Sequence, residues 1–502
     1  MSLSFEATGR AAARREGRAR PLLSWPLIVA AAAFFRALVD RMALLNDPDT
    51  YLHIAAGRWM IAHGALPLSD PFSHSMTGAH WVAHEWLAEI VLASTFDAFG
   101  WGGTILLTAA CFAAALALLA RRLLHHVEPA PMLILVGLSM ASLLPHLLAR
   151  PHILALPPLV AWCAALIAAR DADRAPPAAL LPVMTLWANL HASFMFGLAL
   201  AVFLGAEAVL DAHSAAGRRQ ALRRWGGFIA LATGAALLTP SGFDGLLLPF
   251  RLSGMAALQA SFLEWLSPDF HTFQPLEVWL LGTLFLGFAF GLKLPLGRLV
   301  LLLVLFHMAL AHSRHVDLVA LVLPLALAPS LGPQLAARIG TTPTSALGRG
   351  MAALARPAGA AGIALVVALL AAGGTFALWR PIERPDGAIT PGAALAAAAR
   401  LGLSGPVFNA EPFGGYLVFK GVPTFIDGRI EMYGDRFLRR YLAAEAGNEP
   451  ALSELLAQYR IRWTLLPPES HAVDILDHLP GWRRVYADPN AVIHARIGTG
   501  AG

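Results

Sequence analysis

Residues 46–91 read NDPDTYLHIAAGRWMIAHGALPLSDPFSHSMTGAHWVAHEWLAEIV, and the reading of this stretch decides the fold. It follows directly on the first apolar run, 22–40, yet it carries two close carboxylates, Asp47 and Asp49, with several histidines and tryptophans. Polar groups left bare in hydrocarbon cost several kcal/mol each, so such a segment belongs in the headgroup zone or against a wet cavity. Residues 46–100 are therefore expected to form a large first outer loop on a membrane bundle, and its chemistry suggests more than anchoring.

The composition agrees. Hydrophobic residues are 57% of the 502 and charged residues 14%, against about 25% charged in soluble domains. The net charge of +5 comes from arginines scattered over short loops, which reads as a topology signal and not as a nucleic-acid surface. Cys111 and Cys163 both sit in apolar runs and read as packing residues. The basic, then apolar N-terminus imitates a signal peptide, but Arg36, Asp40 and Arg41 follow the apolar run without a convincing cleavage site, so an uncleaved first helix is expected.

Apolar windows near the length of a span fall at 22–40, 101–120, 131–149, 152–169, 176–190, 193–211, 226–240, 275–292, 297–312, 316–334 and 357–379, about eleven in all. The loops between them alternate. One set holds Arg10 to Arg20, Arg121 and Arg122, Arg170 and Arg174, Arg218 to Arg224, Lys293 and Arg298, and Arg338 to Arg356, which the positive-inside rule makes cytoplasmic. The other set holds 46–91, the turn at Arg150–His152, the turn at Asn189–His191, the loop 240–274 and HSRHVD at 312–317. Ionisable residues at membrane depth are expensive and point to function. Their convergence predicts a cavity open to the outer leaflet.

After a small-residue linker at 335–356 and the last span, residues 380–502 have soluble composition. AALAAAARLG, DRFLRRYLAAEAG and ALSELLAQYR have helical spacing; PVFNA, GYLVFKG, TFIDGR, IRWTLLP and the pair in WRRVYADPNAVIHAR read as strands. This predicts a small α/β domain, extracytoplasmic because the span count is odd, behind a bundle over 1–379 with a cytoplasmic N-terminus.

Asp47 and Asp49, at i and i+2 of an extended stretch, can take a proton from a hydroxyl, hold a divalent cation, or cap the helix YLHIAAGRWMIAHG. His53 lies on that helix, and Trp59, Trp81 and Trp86 suit an interfacial one. Glu85 is a site acid or a structural carboxylate; its HE pair is no zinc-protease motif, because Ala88 stands at i+4 from His84. Arg150 and Arg314, flanked by His152 and His315, can present a planar fork to phosphate or form salt bridges to Asp317 or Glu264. Asn189 and His191 serve the site or simply satisfy their own turn. Glu264, Trp265, Asp269 and His271 lie in a loop long enough to cover a site. In the tail, Gly414–Gly415 permits a tight turn without a P-loop, and Asp427, Arg429 and Glu431 reach the cavity or form a salt-bridge corner.

With an acidic motif after the first span, LWANLHASF, FLEWLSPDF and GGYLVFKGVPTFIDGRIEMYG in place, the chain resembles the C-type membrane glycosyltransferases (the GT-C superfamily). It looks most like the bacterial branch of protein O-mannosyltransferases and lipid A aminopentose transferases. The resemblance implies an inner-membrane enzyme that moves a sugar from a polyprenyl-phosphate donor to a lipid, glycan or protein acceptor. Asp47 or Asp49 would be the base, and Arg150 or Arg314 would receive the departing phosphate. No cofactor is implied beyond a divalent cation. A transporter or flippase, and a non-catalytic subunit of an envelope polysaccharide system, are the alternatives. Reporter fusions test the topology: Asp49 and Arg223 are expected on opposite faces, and a shared face would remove the basis for the chemistry.

Overall fold

Prolines open the apolar helices. Pro26, Pro129, Pro151 and Pro275 each stand in a first turn, where a missing amide costs nothing and a fixed φ suits the helix. The computed structural model describes residues 21–339, 345–379 and 382–497; the arginines of residues 10–20 and part of the expected linker lie outside these. Among the described residues five helices are long and apolar enough to cross a membrane: Trp86–Leu123, Pro129–His146, Pro151–Asp171, Ser313–Arg338 and Ala360–Ala377. Trp25–Val39, Leu180–Leu190, Phe194–Leu210, Pro275–Phe288 and Leu296–Ala311 are shorter apolar helices. The protein is a multi-pass helical membrane protein with a small C-terminal α/β part. Small residues admit close approach between helices, which is how packing replaces the hydrophobic effect in lipid. At Gly197 a methyl would lie 2.6 Å from the Trp187 ring, and its carbonyl accepts the Trp162 indole N–H at 2.8 Å.

The loops sort by end, as the arginine pattern predicts. Arg170 pairs with Glu207 at 3.1 Å and Arg298 with Asp171 at 2.6 Å, so members of the basic set contact one another. The polar turns of the other set meet at the site described below.

The tail holds β1 (Val407–Asn409), β2 (Trp463–Leu466), β3 (Trp482–Ala487) and β4 (Val492–Arg496) in the order β1-β2-β4-β3. β1 and β2 are parallel; β2, β4 and β3 are antiparallel. Helices Glu411–Phe419, Ile430–Glu445 and Glu449–Gln458 fill the β1-to-β2 crossover that a parallel pair requires.

Several expectations are corrected. GYLVFKG is helical, because Glu411–Phe419 is a helix with Pro412 in its first turn. Its Gly414 and Gly415 lie inside that helix instead of forming a turn, and they serve close packing. TFIDGR forms no strand; Thr424 makes one isolated parallel bridge to Ser73 of the first loop. Loop 240–274 contains the helices Gly242–Ser253 and Ala256–Ser261, and the expected linker carries Ala346–Leu354. The first loop is itself helical from Trp86, in a helix that runs to Leu123 and breaks at Gly100 with a φ of 60°. Trp81 is not interfacial. It is buried, with the Arg429 guanidinium 4.8 Å above its ring.

The bundle's first loop and the tail are stitched together. His74 N donates to Thr424 O at 2.9 Å, Thr424 N to Phe72 O at 3.2 Å, and Ser75 Oγ to Phe425 O at 2.5 Å. Arg429, with a side chain 4% exposed, bridges Asp70 at 2.6 Å and Asp427 at 2.7 Å, and both carboxylates are fully buried. Removing one partner of a buried pair strands the other charges, at about 3–5 kcal/mol. Arg429→Met is expected to lose about that much stability in thermal or denaturant unfolding of the purified protein; a loss below about 1 kcal/mol, the level of a surface pair, would contradict the stitched arrangement.

Candidate active site

Asp47 precedes Pro48, and its Oδ1 accepts the Asp49 amide at 2.8 Å. That bond turns the chain into helix Asp49–His63 and leaves the buried Asp47 Oδ2 to another partner. Arg150 meets it from the start of helix Pro151–Asp171. One guanidinium nitrogen lies 3.2 Å from Asp47 Oδ2, and the other lies 2.9 Å from Asp49 Oδ2. Glu264 joins from the loop at 3.9 Å from Arg150 and 3.5 Å from Arg314, which stacks on the Trp265 ring at 4.5 Å. Three segments distant in sequence thus meet at the Arg150 guanidinium, still 27% exposed, and Arg314 joins through Glu264.

Burial drives the Asp49 carboxyl up to about 6; Arg150 opposes it and Asp47 reinforces it. On Arg150 burial opposes the charge, but Asp47, Asp49 and Glu264 outweigh it. On Glu264 burial likewise opposes charge, and Arg150 and Arg314 hold the carboxyl below its usual range.

A second cluster adjoins the first. Glu85 lies 3.5 Å from His191 Nε2, 3.7 Å from His84 Nε2 and 3.9 Å from His53 Nε2. Burial opposes its charge, yet these imidazoles, led by His84, together with Arg150 hold the carboxyl at about 2. Burial pushes His191 down to about 3, so at neutral pH it meets Glu85 as a dipole and not as a cation. Sequence reasoning missed Glu89, which lies 3.1 Å from His53 Nδ1. Its i+4 offset from Glu85 puts the two carboxylates on one helix face, a signal the sequence did hold. Gly57 permits the contact: a methyl there would lie 2.5 Å from the Glu89 carbonyl carbon. A small crevice, with room for no more than about one water, borders the cluster and is lined by His84, Ala188, Ala192, Phe194, Thr239 and Ser241.

The remaining sequence candidates sort differently. His152 reaches the His146 carbonyl at 3.0 Å, and its ring lies 6.2 Å from that of His191. Asp317 pairs with His146 at 3.1 Å and not with an arginine. His315 approaches the Met308 carbonyl at 3.2 Å. Asn189 ties helices together: it accepts from the Trp86 indole at 2.7 Å and donates to Thr185 O and Leu238 O at 2.7 and 3.0 Å, which uses both of its amide hydrogens. Asp427 and Arg429 form the salt-bridge corner. The expected open cavity is instead closed over Asp47 and Asp49 by their ion pairs with Arg150. Among the described residues no three His, Cys, Asp or Glu side chains are arranged to hold a metal ion. With Arg150 on both aspartates, this geometry does not fit the divalent cation, and no step below uses one.

The tail contributes Glu411, which the sequence did not assign, and Glu431, which it did. Burial raises Glu411 well above the usual carboxylate range, with the Asp49 charge the next cause. Burial also raises Glu431, against the pull of His84.

No family model matches the chain, and no curated protein matches it. Among solved structures it is similar to the Archaeoglobus fulgidus oligosaccharyltransferase, tethered to an acceptor peptide containing the NVT sequon. That match has a TM-score of 0.47 and 11% identity and covers 88% of this chain and 69% of that one. It is also similar to ArnT from Cupriavidus metallidurans bound to undecaprenyl phosphate, with a TM-score of 0.46 and 14% identity, over 95% of this chain and 98% of that one.

The raised Asp49 has a stability signature. The folded state holds its proton more tightly than the unfolded chain, so stability falls as pH rises from about 4 to about 6. Asp49→Asn escapes that cost. It is expected to be more stable than the wild type at pH 7.5 by roughly 3 kcal/mol beyond any difference at pH 4. A gap that does not change with pH would contradict the raised carboxyl.

Proposed function

We propose that the protein is a C-type membrane glycosyltransferase that moves a sugar from a polyprenyl phosphate to an acceptor hydroxyl on the extracytoplasmic face of a bacterial inner membrane. The observation that supports this most is Arg150 shared between Asp47 and Asp49 at the polar end of the bundle. A donor phosphate is a better partner for that fork than either carboxylate alone, since it offers more oxygens and more charge. Its arrival would draw Arg150 off Asp49 and leave a buried carboxylate with a pKa near the working pH, which suits a general base.

In this reading the acceptor oxygen attacks the anomeric carbon from the face opposite the phosphate, so the configuration inverts. Asp49 takes the hydroxyl proton. The anomeric C–O bond breaks, and its electron pair leaves on the polyprenyl phosphate. Charge grows on that phosphate in the transition state, where Arg150 and Arg314 stand ready; preorganised charges of this kind give large rate terms. Asp47 holds Arg150 in place, Glu264 holds Arg314, and Glu85 with its histidines lines the acceptor side. The C-terminal part and the polar turns face outward, and the basic loops face the cytoplasm. The sugar is a hexose or pentose, and the acceptor a lipid, glycan or protein.

A specific observation favours one rival: the ion pairs close the site, as expected of a non-catalytic subunit of an envelope polysaccharide system. Variants separate the two. Glycans and lipid-linked sugars are compared in cells that make the wild type, Asp49→Asn, Asp47→Asn or no chain. Loss of a general base is expected to cut transfer about 10²–10⁴-fold with the protein still folded. Undiminished transfer in both variants would defeat the glycosyltransferase reading.

A further inference from the structure

The acidic turn is built against the tail as much as against the bundle. A methyl on Gly428 would overlap Asp49 Oδ1 and lie 2.8 Å from Asp49 Cγ. A methyl on Gly415 would strike the Pro48 carbonyl, 3.0 Å from its carbon, and one on Gly414 would lie 2.5 Å from Ile426 O and 2.6 Å from Asp427 Cα. Gly415 and Gly428 therefore let the helix Glu411–Phe419 and the segment 426–428 lie flat on the residues that present Asp49, and Gly414 lets that helix and segment lie against each other.

Aromatic contacts fix the same surface. The Tyr51 ring lies 5.2 Å edge-on from that of Tyr416 and 5.2 Å from that of Phe419, and its hydroxyl is 3.1 Å from Thr390 Oγ1. Arg384 covers the other side of the Tyr51 ring at 4.0 Å. At the head of the helix, the Glu411 amide donates to the Tyr441 hydroxyl at 2.8 Å, which seats that residue in the tail's own core. The Arg429 bridge to Asp70 ties the next turn to the first loop. The tail thus forms one wall of the seat, and Arg150 forms the other.

We propose that Gly428 and Glu411 of the C-terminal domain are positioning residues for Asp49, so that the tail holds the base of the reaction and keeps water from it. This rests on the glycosyltransferase reading for the word base; the seat itself does not. The charged groups that face Asp49 are Arg150 from the bundle, Asp47 and His53 from its own segment, Glu264 from the outer loop and Glu411 from the tail. Glu411 stands one turn before Gly415 on the same helix face, where it adds bulk to the wall, and burial with the Asp49 charge pushes its carboxyl well above the usual carboxylate range.

The test reads Asp49 directly and needs no substrate. Full-length protein in nanodiscs, labelled at its aspartate carboxyls, is titrated by infrared difference spectroscopy, and Asp49→Asn identifies the band. The wild-type midpoint is expected near 6. Gly428→Ala displaces the carboxylate from its seat toward water and Arg150, and the midpoint is expected to fall toward 3.8. Glu411→Gln, which keeps the bulk of the side chain, is expected to keep the wild-type midpoint, whereas Glu411→Ala opens the wall and lowers it. Gly387→Ala, where a methyl meets open space, is the control. Wild-type midpoints in both Gly428→Ala and Glu411→Ala would overturn the proposal, and Glu411→Ala alone decides it if Gly428→Ala does not fold. Active Asp49→Asn enzyme alongside the expected midpoints would instead defeat the glycosyltransferase reading and leave the seat standing.

Discussion

A single guanidinium organises the polar end of this protein. Asp47 and Asp49 are too close in sequence to carry two charges in a buried place unless a cation lies between them, because like charges drive one another's carboxyls up. Arg150 supplies that cation with a planar fork that serves both at once, as a lysine ammonium could not. The segments around it follow from this. Glu264 and Arg314 continue the alternation of charge from the outer loop, and the glycines of the tail bring backbone close enough to keep water out.

The arrangement holds function and stability in opposition. A buried carboxylate with a raised pKa is a cost in the resting fold, and it persists only where its surroundings overdetermine it. Here the overdetermination comes from outside the bundle. Arg429 locks Asp70 of the first loop to Asp427 of the tail, and backbone hydrogen bonds from His74 and Thr424 stitch the two together. The tail is therefore not an appended module on the membrane part. It completes the surface on which the acidic turn is folded.

Much of this was legible in the residues. The arginine-rich loops and the His, Asn and carboxylate turns separated cleanly in the sequence because charge placement across a membrane is costly and therefore systematic. The structure groups each set with its own kind. Asp47, Asp49, Glu85, Arg150, His191, Glu264 and Arg314 gather as that pattern implies. The failures have physical causes. GYLVFKG carries β-prone residues, but Pro412 and the need to lie flat on the Asp49 helix make it helical. Asn189 stayed open between serving the site and satisfying its own turn, because a sequence does not show its three hydrogen bonds, two of them beyond its own helix. Glu89 and Glu411 were hidden for different reasons. Glu89 opens a long apolar helix and shows only through its i+4 offset from Glu85, and Glu411 lies more than 350 positions from Asp49 in the chain.

The claim on which the rest turns is that Arg150 exchanges Asp49 for a lipid phosphate. A structure of the full-length protein determined with a polyprenyl phosphate in a lipid disc tests this most directly. The account predicts phosphate oxygens within hydrogen-bonding distance of Arg150, with the Asp49 ion pair broken and its carboxylate turned to the acceptor side. A phosphate bound elsewhere while Arg150 stays closed on both aspartates would contradict it.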